Sequence, residues 1–500
     1  MAVLNSDIKE NLMEYIEGKN VLLFGLGILG GGVATANWLM KNGARLTVYD
    51  AKPAVDLERS LKKIKGQCKS IFGRQLTEKD IESVDTICLN PAVSFRHPLV
   101  EYARKNGKKI VNEATLFFDR CPAPLVAVTG TRGKTTTTNW LAHFLSTGMK
   151  ATIAGNSSTK PLLKILPTLK KSHGVVTEMP SYLLELFDES TRAPEVAIVT
   201  NLSSDHQNRY FDMNDYASVK ANIFRFQNKS QHVIFNAQNE WTSFFEKQVG
   251  ASRVWYFSMK TLSKNINGVF QRDGIVYFQR DGVRQVVLRI RHFAKQWGSH
   301  NVENLMASAL GAHLRGIGWR AIARAIKTLP AIHFRQEPVF KDKKLVIIND
   351  TTATSPEGGI AAIQRFSSKS CILIAGGTDG NLDYADWARV MSKKITPLRL
   401  ILLEGSATQK MLALLGTKFA KASVRSSLKD CVNLAIVLAQ KQRGGTILFS
   451  PAAKSFEKFK NEFDRGEQFN KIVKRMVRIE WIKPLDKHTK SSSESLRPKK

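Results

Sequence analysis

The stretch Leu125–Thr138, LVAVTGTRGKTTTT, constrains the fold more than any other. Its apolar run, Leu125 to Val128, reads as a buried strand that stops at Thr129-Gly130. Gly133-Lys134-Thr135-Thr136 then opens a helix continuing through Trp140, Leu141 and Phe144. Strand, glycine turn and helix start in that order make an anion cradle. Glycines let backbone N–H groups approach phosphate oxygens, the helix N-terminus adds positive potential, Lys134 adds a full charge, and the Thr135 hydroxyl suits Mg²⁺. A strict P-loop has a glycine where Val128 stands, so the alternative is an ordinary strand–turn–helix corner with a surface lysine. The local order of elements favours phosphate.

A chain of 500 residues has room for about three domains with a core in each. Apolar residues make up 43% and charged residues 24%, the balance of a soluble globular chain. No run of about 18 apolar residues occurs, so no membrane insertion is expected. The opening MAVLNSDIKENLMEY lacks a signal-peptide apolar region, and the five cysteines have neither metal-ligand nor disulfide spacing. A reducing cytoplasm is the expectation. The formal charge of +32 admits a nucleic-acid partner, a membrane surface or a polyanionic substrate. The basic residues are nevertheless spread one or two at a time, which fits a generally basic proteome better than a specific nucleic-acid site. Only 483–500 reads as a disordered cationic tail.

In chain order, Asn20 to Phe24 is a strand, followed by the G-x-G-x-x-G turn Gly25-Leu26-Gly27-Ile28-Leu29-Gly30 and a helix through Met40. A second strand, Arg45 to Tyr49, ends at Asp50, where a ribose hydroxyl would lie. This βαβ unit points to a nucleotide-type ligand without separating a dinucleotide from a UDP group. Strand Thr86–Leu89 delivers Asn90-Pro91-Ala92-Val93 from its carboxyl end, and Cys121 to Pro124 reads as a linker. Beyond the cradle, strands end in Glu178 and shortly before His206. Either residue alone is an ordinary capping group, but together they are candidates to hold Mg²⁺. Lys220 lies on the helix 215–226 and, taken alone, is one more solvated lysine. Residues 262–295 read as β-rich with turns at Asp273-Gly274 and Asp281-Gly282. Asn301 and Asn304 share a helix face and either bond a base or ribose or cap the helix. After His333 three more strands deliver polar loops, Asn349 to Ser355, Ala375 to Asp379 and Ser450 to Ser455. The fold class is therefore α/β, with repeated open sheets.

GTRGKTTTT, TEMPSYLLE, TNLSSDHQNRY, GSHNVENLMA, INDTTATSP, AGGTDGN and SPAAKSFEKFKNEFDRG occur in this order and at suitable intervals. As a set they resemble the Mur ligase family, over about Gly18 to Trp481. The resemblance implies three domains: a Rossmann-like one holding UDP (1–121), a P-loop ATPase-like one (122–332), and a Rossmann-like one presenting an amino acid (333–482). It implies an ATP-dependent, Mg²⁺-dependent amide ligase of peptidoglycan precursor synthesis, monomeric, adding D-glutamate to UDP-N-acetylmuramoyl-L-alanine through an acyl phosphate. Matching motif to motif, Gly130, Thr131, Arg132, Gly133, Lys134, Thr135 and Thr136 would grip ATP, with Asn301, Asn304, Arg335 and Asp350. Thr135, Glu178, His206 and Lys220 would hold magnesium, Lys220 as a carbamate, and Lys134, His206 and Lys220 would be catalytic. Ile28, Leu29, Asp50, Asn90, Ala92 and Asn156 would contact the UDP substrate, and Thr354, Ser455 and Phe456 the amino acid.

The motifs also depart from the family pattern. Arg132 replaces the asparagine of GTNGKT, Ala92 a glycine, and Pro180 and Leu183 polar residues. HRFE has become HFRQE. Thr352 and Gly380 stand where relatives place lysines, so the amino acid added, D-glutamate or another such as L-glutamate, stays open. Lys454 is the candidate for the missing cation. A nucleotide-binding homologue without activity and a basic nucleic-acid-binding ATPase are the rival readings. The set Lys134, Thr135, Glu178, His206 and Lys220 argues against the first, and the lack of a focused basic patch against the second.

Overall fold

The computed structural model describes residues 14–28, 30–155, 161–203 and 209–482, without the side chains of 480 and 482. The chain divides into two compact units, the first ending at Pro330 and the second starting at Ala331.

The first unit carries two sheets. Strands β1 (Asn20–Phe24), β2 (Arg45–Asp50), β3 (Lys69–Phe72), β4 (Thr86–Leu89) and β5 (Lys109–Asn112) run parallel in the order β3-β2-β1-β4-β5. Successive side chains of a strand point to opposite faces, and β1 serves two cores accordingly. Val21 and Leu23 join one, with Leu39, Val48 and Phe117. Leu22 and Phe24 join the other, with Ile81, Ile87 and Val100. The strand order reverses between β1 and β4, so the Gly25 turn and the Asn90 loop flank a switch point, where open sheets bind ligands.

The second sheet is built from β6 (Leu125–Thr129), β7 (Ala151–Gly155), β8 (Gly174–Glu178), β9 (Val196–Val199), β10 (His232–Asn236), β11 (Arg253–Ser258), β12 (Gly268–Arg272), β13 (Ile275–Arg280) and β14 (Val283–Arg289). Its order is β14-β13-β12-β11-β10-β9-β6-β8-β7. The strands from β6 to β12 pair in parallel, and β12, β13 and β14 close the edge as an antiparallel ribbon. Both ribbon turns have the positive φ pairs that Asp-Gly tolerates, Asp273 and Gly274 at 53° and 74°, Asp281 and Gly282 at 50° and 80°. All five residues of β6 are buried, as its apolar run requires. The core on one face of the first sheet continues into this one, where Phe118 packs edge-on against Phe187 at 4.9 Å.

The second unit holds β15 (Glu337–Lys341), β16 (Leu345–Asn349), β17 (Cys371–Gly376), β18 (Leu400–Leu403), β19 (Ser423–Arg425) and β20 (Gly445–Phe449) in the order β15-β16-β20-β17-β18-β19. Only β15 pairs antiparallel. Leu373 and Ala375 enter one core and Ile372 and Ile374 the other, so this sheet is covered on both faces. The α/β class read from the sequence is thus the architecture. The tail 483–500 lies outside the described residues.

Candidate active site

The glycine turn after β6 is held from two sides. A Cβ on Gly130, whose φ is +138°, would stand 2.0 Å from the Thr200 hydroxyl. A Cβ on Gly133, at φ +81°, would stand 2.3 Å from Asn304 Oδ1. Glycine is required at both places by space as well as by dihedral. The backbone N–H groups of Thr131 and Arg132 donate to the Asn201 carbonyl and Asn201 Oδ1, each at 2.9 Å. Thr200 Oγ1 donates to the Arg132 carbonyl at 2.6 Å. Gly133 is a left-handed N-cap without a side-chain capping bond, and the helix Lys134–Leu145 has no acid in its first turn. The end of this helix therefore offers positive potential toward an anion.

Two lysines converge on this turn. Lys134 Nζ donates to the carbonyls of Gly130 and Thr131, each at 2.9 Å. Lys220 Nζ donates to the same Gly130 carbonyl at 3.1 Å. Sharing one acceptor puts the two nitrogens within about 6 Å of each other. Lys220 is 1% exposed and sits 4.5 Å above the Tyr216 ring, whose hydroxyl lies 3.5 Å from Thr131 Oγ1. The solvated reading of Lys220 is thus overturned. Tyr216, Ala217, Ala221, Ile223 and Phe224 of its helix, Met213–Arg225, are buried, and Lys220 lies in their stripe. That signal was in the sequence: Tyr216, Lys220 and Phe224 recur every four residues along one helix face.

Glu178 closes β8 opposite Val128 of β6 and Gly155 of β7, so its carboxylate departs from the edge that carries the glycine turn. The next residue is bonded across, Met179 N–H to the Val128 carbonyl at 2.8 Å and Thr129 Oγ1 to the Met179 carbonyl at 2.7 Å. A carboxylate and the half-buried Thr135 hydroxyl on neighbouring elements are hard oxygen donors of the kind Mg²⁺ takes. The side chain of Thr136 is buried. Leu29, Asn156 and His206 lie outside the described residues. Of the two asparagines, Asn304 accepts from Thr137 Oγ1 at 3.2 Å and donates to Asn301 Oδ1 at 2.8 Å, while Asn301 donates to the Trp297 carbonyl at 2.7 Å. The pair braces the start of the phosphate helix from the helix His300–Leu314.

In the first sheet, Asp50, placed by its position for a ribose contact, holds the glycine turn itself. Its Oδ2 accepts from the N–H groups of Leu26 at 3.1 Å and Gly27 at 2.9 Å, and its Oδ1 accepts from Lys52 N–H at 3.0 Å. Two amides of the turn, those of Leu26 and Gly27, are thereby engaged. The close-approach glycine of this motif is Gly32, where a Cβ would meet the Leu26 carbonyl at 2.1 Å, whereas Gly30 is demanded only by its φ of +96°. Asn90 packs under Gly25 and accepts from Ala92 N–H at 3.0 Å, and Ile28 is 58% exposed.

In the second unit, three loops leave one edge. Asp350 N–H donates to the Phe449 carbonyl, Ser450 N–H to Ile374 and Gly376 N–H to Pro451. Asp350 accepts from Ser450 Oγ at 2.8 Å and Gln336 N–H at 3.0 Å, and burial pushes its carboxyl up to about 7. Arg335, next to Gln336 in the chain, is exposed, and its neighbours Phe334 and Gln336 are both at positive φ. Thr354 is half-buried and Phe456 is 64% exposed. Lys454 exchanges backbone bonds with Thr378, and its Cγ and Cε lie 3.1 Å from where a Gly380 Cβ would be. The Ser455 hydroxyl is buried without a partner among the described residues. Lys454, Ser455 and Thr378 line one narrow depression together with Arg465. Arg465 has no role in the sequence reading, although it belongs to the SPAAKSFEKFKNEFDRG motif. It is fully buried and donates to Thr351 Oγ1, to the Thr351 carbonyl and to the carbonyls of Ala453 and Lys454. Burial lowers its guanidinium to about 10, so it stays charged while joining two of the three loops.

A family model described as Mur ligase middle domain matches residues 128–312, and one described as Mur ligase MurD-like, N-terminal domain matches residues 19–112. A UDP-N-acetylmuramoylalanine–D-glutamate ligase from Roseiflexus sp. (strain RS-1) is 33% identical over 466 residues, covering 92% of this chain and 99% of the relative. The protein of the same name from Caldanaerobacter subterraneus subsp. tengcongensis is 30% identical over 462 residues, covering 92% and 98%. Among solved structures, UDP-N-acetylmuramate-alanine ligase MurC from Thermotoga maritima aligns with a TM-score of 0.55 at 20% identity, over 91% of this chain and 99% of that one. MurF ligase from the same organism, solved in complex with ADP, aligns with a TM-score of 0.53 at 14% identity, over 93% and 97%. These two likenesses concern the fold.

Proposed function

The chain belongs to the Mur ligase family, and on that premise we propose that it joins D-glutamate to UDP-N-acetylmuramoyl-L-alanine at the expense of ATP. The reaction is an amide ligation of peptidoglycan precursor synthesis, carried out in the cytoplasm by a monomer of three domains bounded near 121 and 332. The observation that carries the reading is the convergence of Lys134 and Lys220 on the Gly130 carbonyl, at a helix N-terminus without acids. The helix start and Lys134 offer positive potential to a triphosphate, and the buried Lys220 stands where its carbamate would face the same turn.

In the reaction, an oxygen of the L-alanyl carboxylate attacks the γ-phosphorus and the bond to ADP breaks, leaving an acyl phosphate. The glutamate amine then adds to the acyl carbon, loses a proton and expels phosphate as the amide forms. Lys134 and the N–H groups at the helix start hold the transferring phosphoryl group and meet its developing charge. Thr135, Glu178, His206 and Lys220, the last as a carbamate, would hold magnesium, which when bound neutralises phosphate oxygens. The described residues Thr135 and Glu178 support the assignment by their donor chemistry and shared sheet edge. Ile28, Leu29, Asp50, Asn90, Ala92 and Asn156 are assigned to the UDP substrate, Asp50 through the shape of the turn. Thr354, Lys454, Ser455 and Phe456 are assigned to glutamate, with Lys454 as the cation for one carboxylate.

Phosphate release with UDP-N-acetylmuramoyl-L-alanine, ATP and a panel of D- and L-amino acids tests the reading. Turnover with D-glutamate alone is expected. Release with L-glutamate only would move the specificity, and none with any amino acid would remove the ligase. Carbon-13 NMR of the folded protein with Mg²⁺ under ¹³CO₂ tests Lys220 separately: a carbamate resonance that Lys220→Ala lacks is expected.

A further inference from the structure

Two arginine forks tie the loop 90–97 of the first sheet to the segments assigned to the phosphate site, Arg209 through Pro91 and Val93 and Arg96 from within the loop. Arg209 Nε and one terminal nitrogen grip Glu185, at 2.5 and 2.7 Å, while its terminal nitrogens also donate to the carbonyls of Pro91 at 2.9 Å and Val93 at 3.1 Å. The Glu185 side chain is 3% exposed and accepts in addition from Tyr210 OH at 3.0 Å. Arg96 forks onto Asp215 at 2.9 and 2.7 Å, with its guanidinium 4.4 Å from the ring centroids of both Phe95 and Phe211.

The positions of the partners along the chain give the forks their meaning. Arg209 follows His206 by three residues, Glu185 follows Glu178 by seven, and Asp215 precedes Lys220 by five on the same helix. The loop end is equally direct. Asn90 Cβ and Val93 Cγ2 lie 2.8 and 3.3 Å from where a Gly25 Cβ would be, so the loop packs directly on the glycine turn. Carbonyls that water would otherwise hold are held here by a planar guanidinium whose other edge is fixed by a buried carboxylate. Only arginine has enough donors in one plane to meet all of these partners at once.

We propose that Arg209 and Arg96 are positioning residues that make binding of the UDP substrate at the Asn90–Val93 loop and binding of nucleotide at the Gly130–Gly133 turn one cooperative event. This rests on the substrate assignment made above. Coupling between sites is a free energy, so it is measured as one. The Kd of a non-hydrolysable ATP analogue with Mg²⁺ is titrated alone and at saturating UDP-N-acetylmuramoyl-L-alanine, for wild type, Arg209→Lys, Arg96→Gln and the double variant. In wild type the substrate tightens the analogue by about fivefold or more. In each variant the ligands bind singly to within about twofold of wild type, and the tightening falls toward one, reaching it in the double variant. Thermal melts establish that the variants are folded. If Arg209→Lys is not, Arg96→Gln decides alone, since its side chain is a quarter exposed and its loss strands no deeply buried acid. Undiminished tightening in the folded variants, or none in wild type, overturns the proposal. Wild type that turns over yet binds the ligands independently sinks this inference only, whereas wild type that never binds the UDP substrate removes the proposed function as well.

Discussion

The turns Gly25–Gly30 and Gly130–Gly133 begin alike and end differently. Each follows a buried parallel strand, and each opens a helix through a left-handed glycine N-cap with no side-chain capping bond and no acid in the first turn. The second is then closed in by Thr200, Asn201 and Asn304 and faced by two lysines. The first has Asp50 on its amides, Ser60 on the Gly27 carbonyl and Asn90 against Gly25, while among the described atoms a Cβ at Gly30 would meet nothing within 4 Å. Similar helix starts thus carry two lysines in one sheet and, in the other, a turn with two amides bonded to its own acid. On the proposed assignment, the set of side chains brought in by neighbouring strands is what sets the ATP turn apart from the UDP-substrate turn.

The contrast is sharpest at the glycines themselves. Gly133→Ala places a Cβ on Asn304 as well as forcing a left-handed alanine, so chemical denaturation should register a loss of about 3 kcal/mol or more. Gly30→Ala pays only for the dihedral, about 1 kcal/mol. Equal costs would mean that the two turns are not differently enclosed. Next comes charge. Lys134→Ala should lower kcat by at least about 10²-fold while the melting temperature changes little, since in the proposed reaction the lysine serves the phosphoryl group rather than the core. Near-normal turnover would dissolve the distinction between cradle and turn.

A third acid at a strand end extends the comparison. Asp350 accepts a backbone N–H as Asp50 does, but it is buried and its carboxyl is pushed up to about 7 from 3.8. The folded chain then holds a proton that the unfolded chain releases between those values. Stability from this group is complete below about pH 4 and is lost as pH rises to about 7, with a slope of up to about 1.4 kcal/mol per pH unit. The stability of wild type minus that of Asp350→Asn should therefore fall across this window and level off above it. A flat difference would show Asp350 to be an ordinary surface-like carboxylate. The smallest effect is expected at Asp50→Asn, where a charge-assisted acceptor becomes a neutral one. The KM for the UDP substrate should rise by up to about tenfold with the KM for ATP little changed, in steady-state assays. A matching rise for ATP would mean that the two turns are not separate sites.

Much of this was legible in the chain before any coordinates. Alternation of apolar runs and glycine-punctuated helices declared open α/β sheets, because strands buried on both faces have to be continuously apolar. The residues of the second turn were legible too, since phosphate binding demands glycines, a lysine and a helix start in consecutive positions. Lys220 was misread in isolation, although its place in the Tyr216–Phe224 stripe was visible, because a single lysine on a helix is usually solvated. The engagement of Asp50 with the turn amides was not legible, since whether an acid turns toward a ligand or toward its own backbone depends on distances below one residue's length. Nor was Arg465, whose partners lie in loops more than one hundred residues apart at one end and about a dozen at the other. The sequence by itself determined the sheets, the strand-end loops and the chemical kinds of residue at the phosphate turn, all of which follow from local periodicity and spacing. The tertiary structure alone decided which lysine shares a carbonyl with which, which acid is buried, and which arginine fastens one sheet's loop to the other's helix. Hydrogen bonds and burial are set by distances between segments remote in the chain, and no local pattern encodes those.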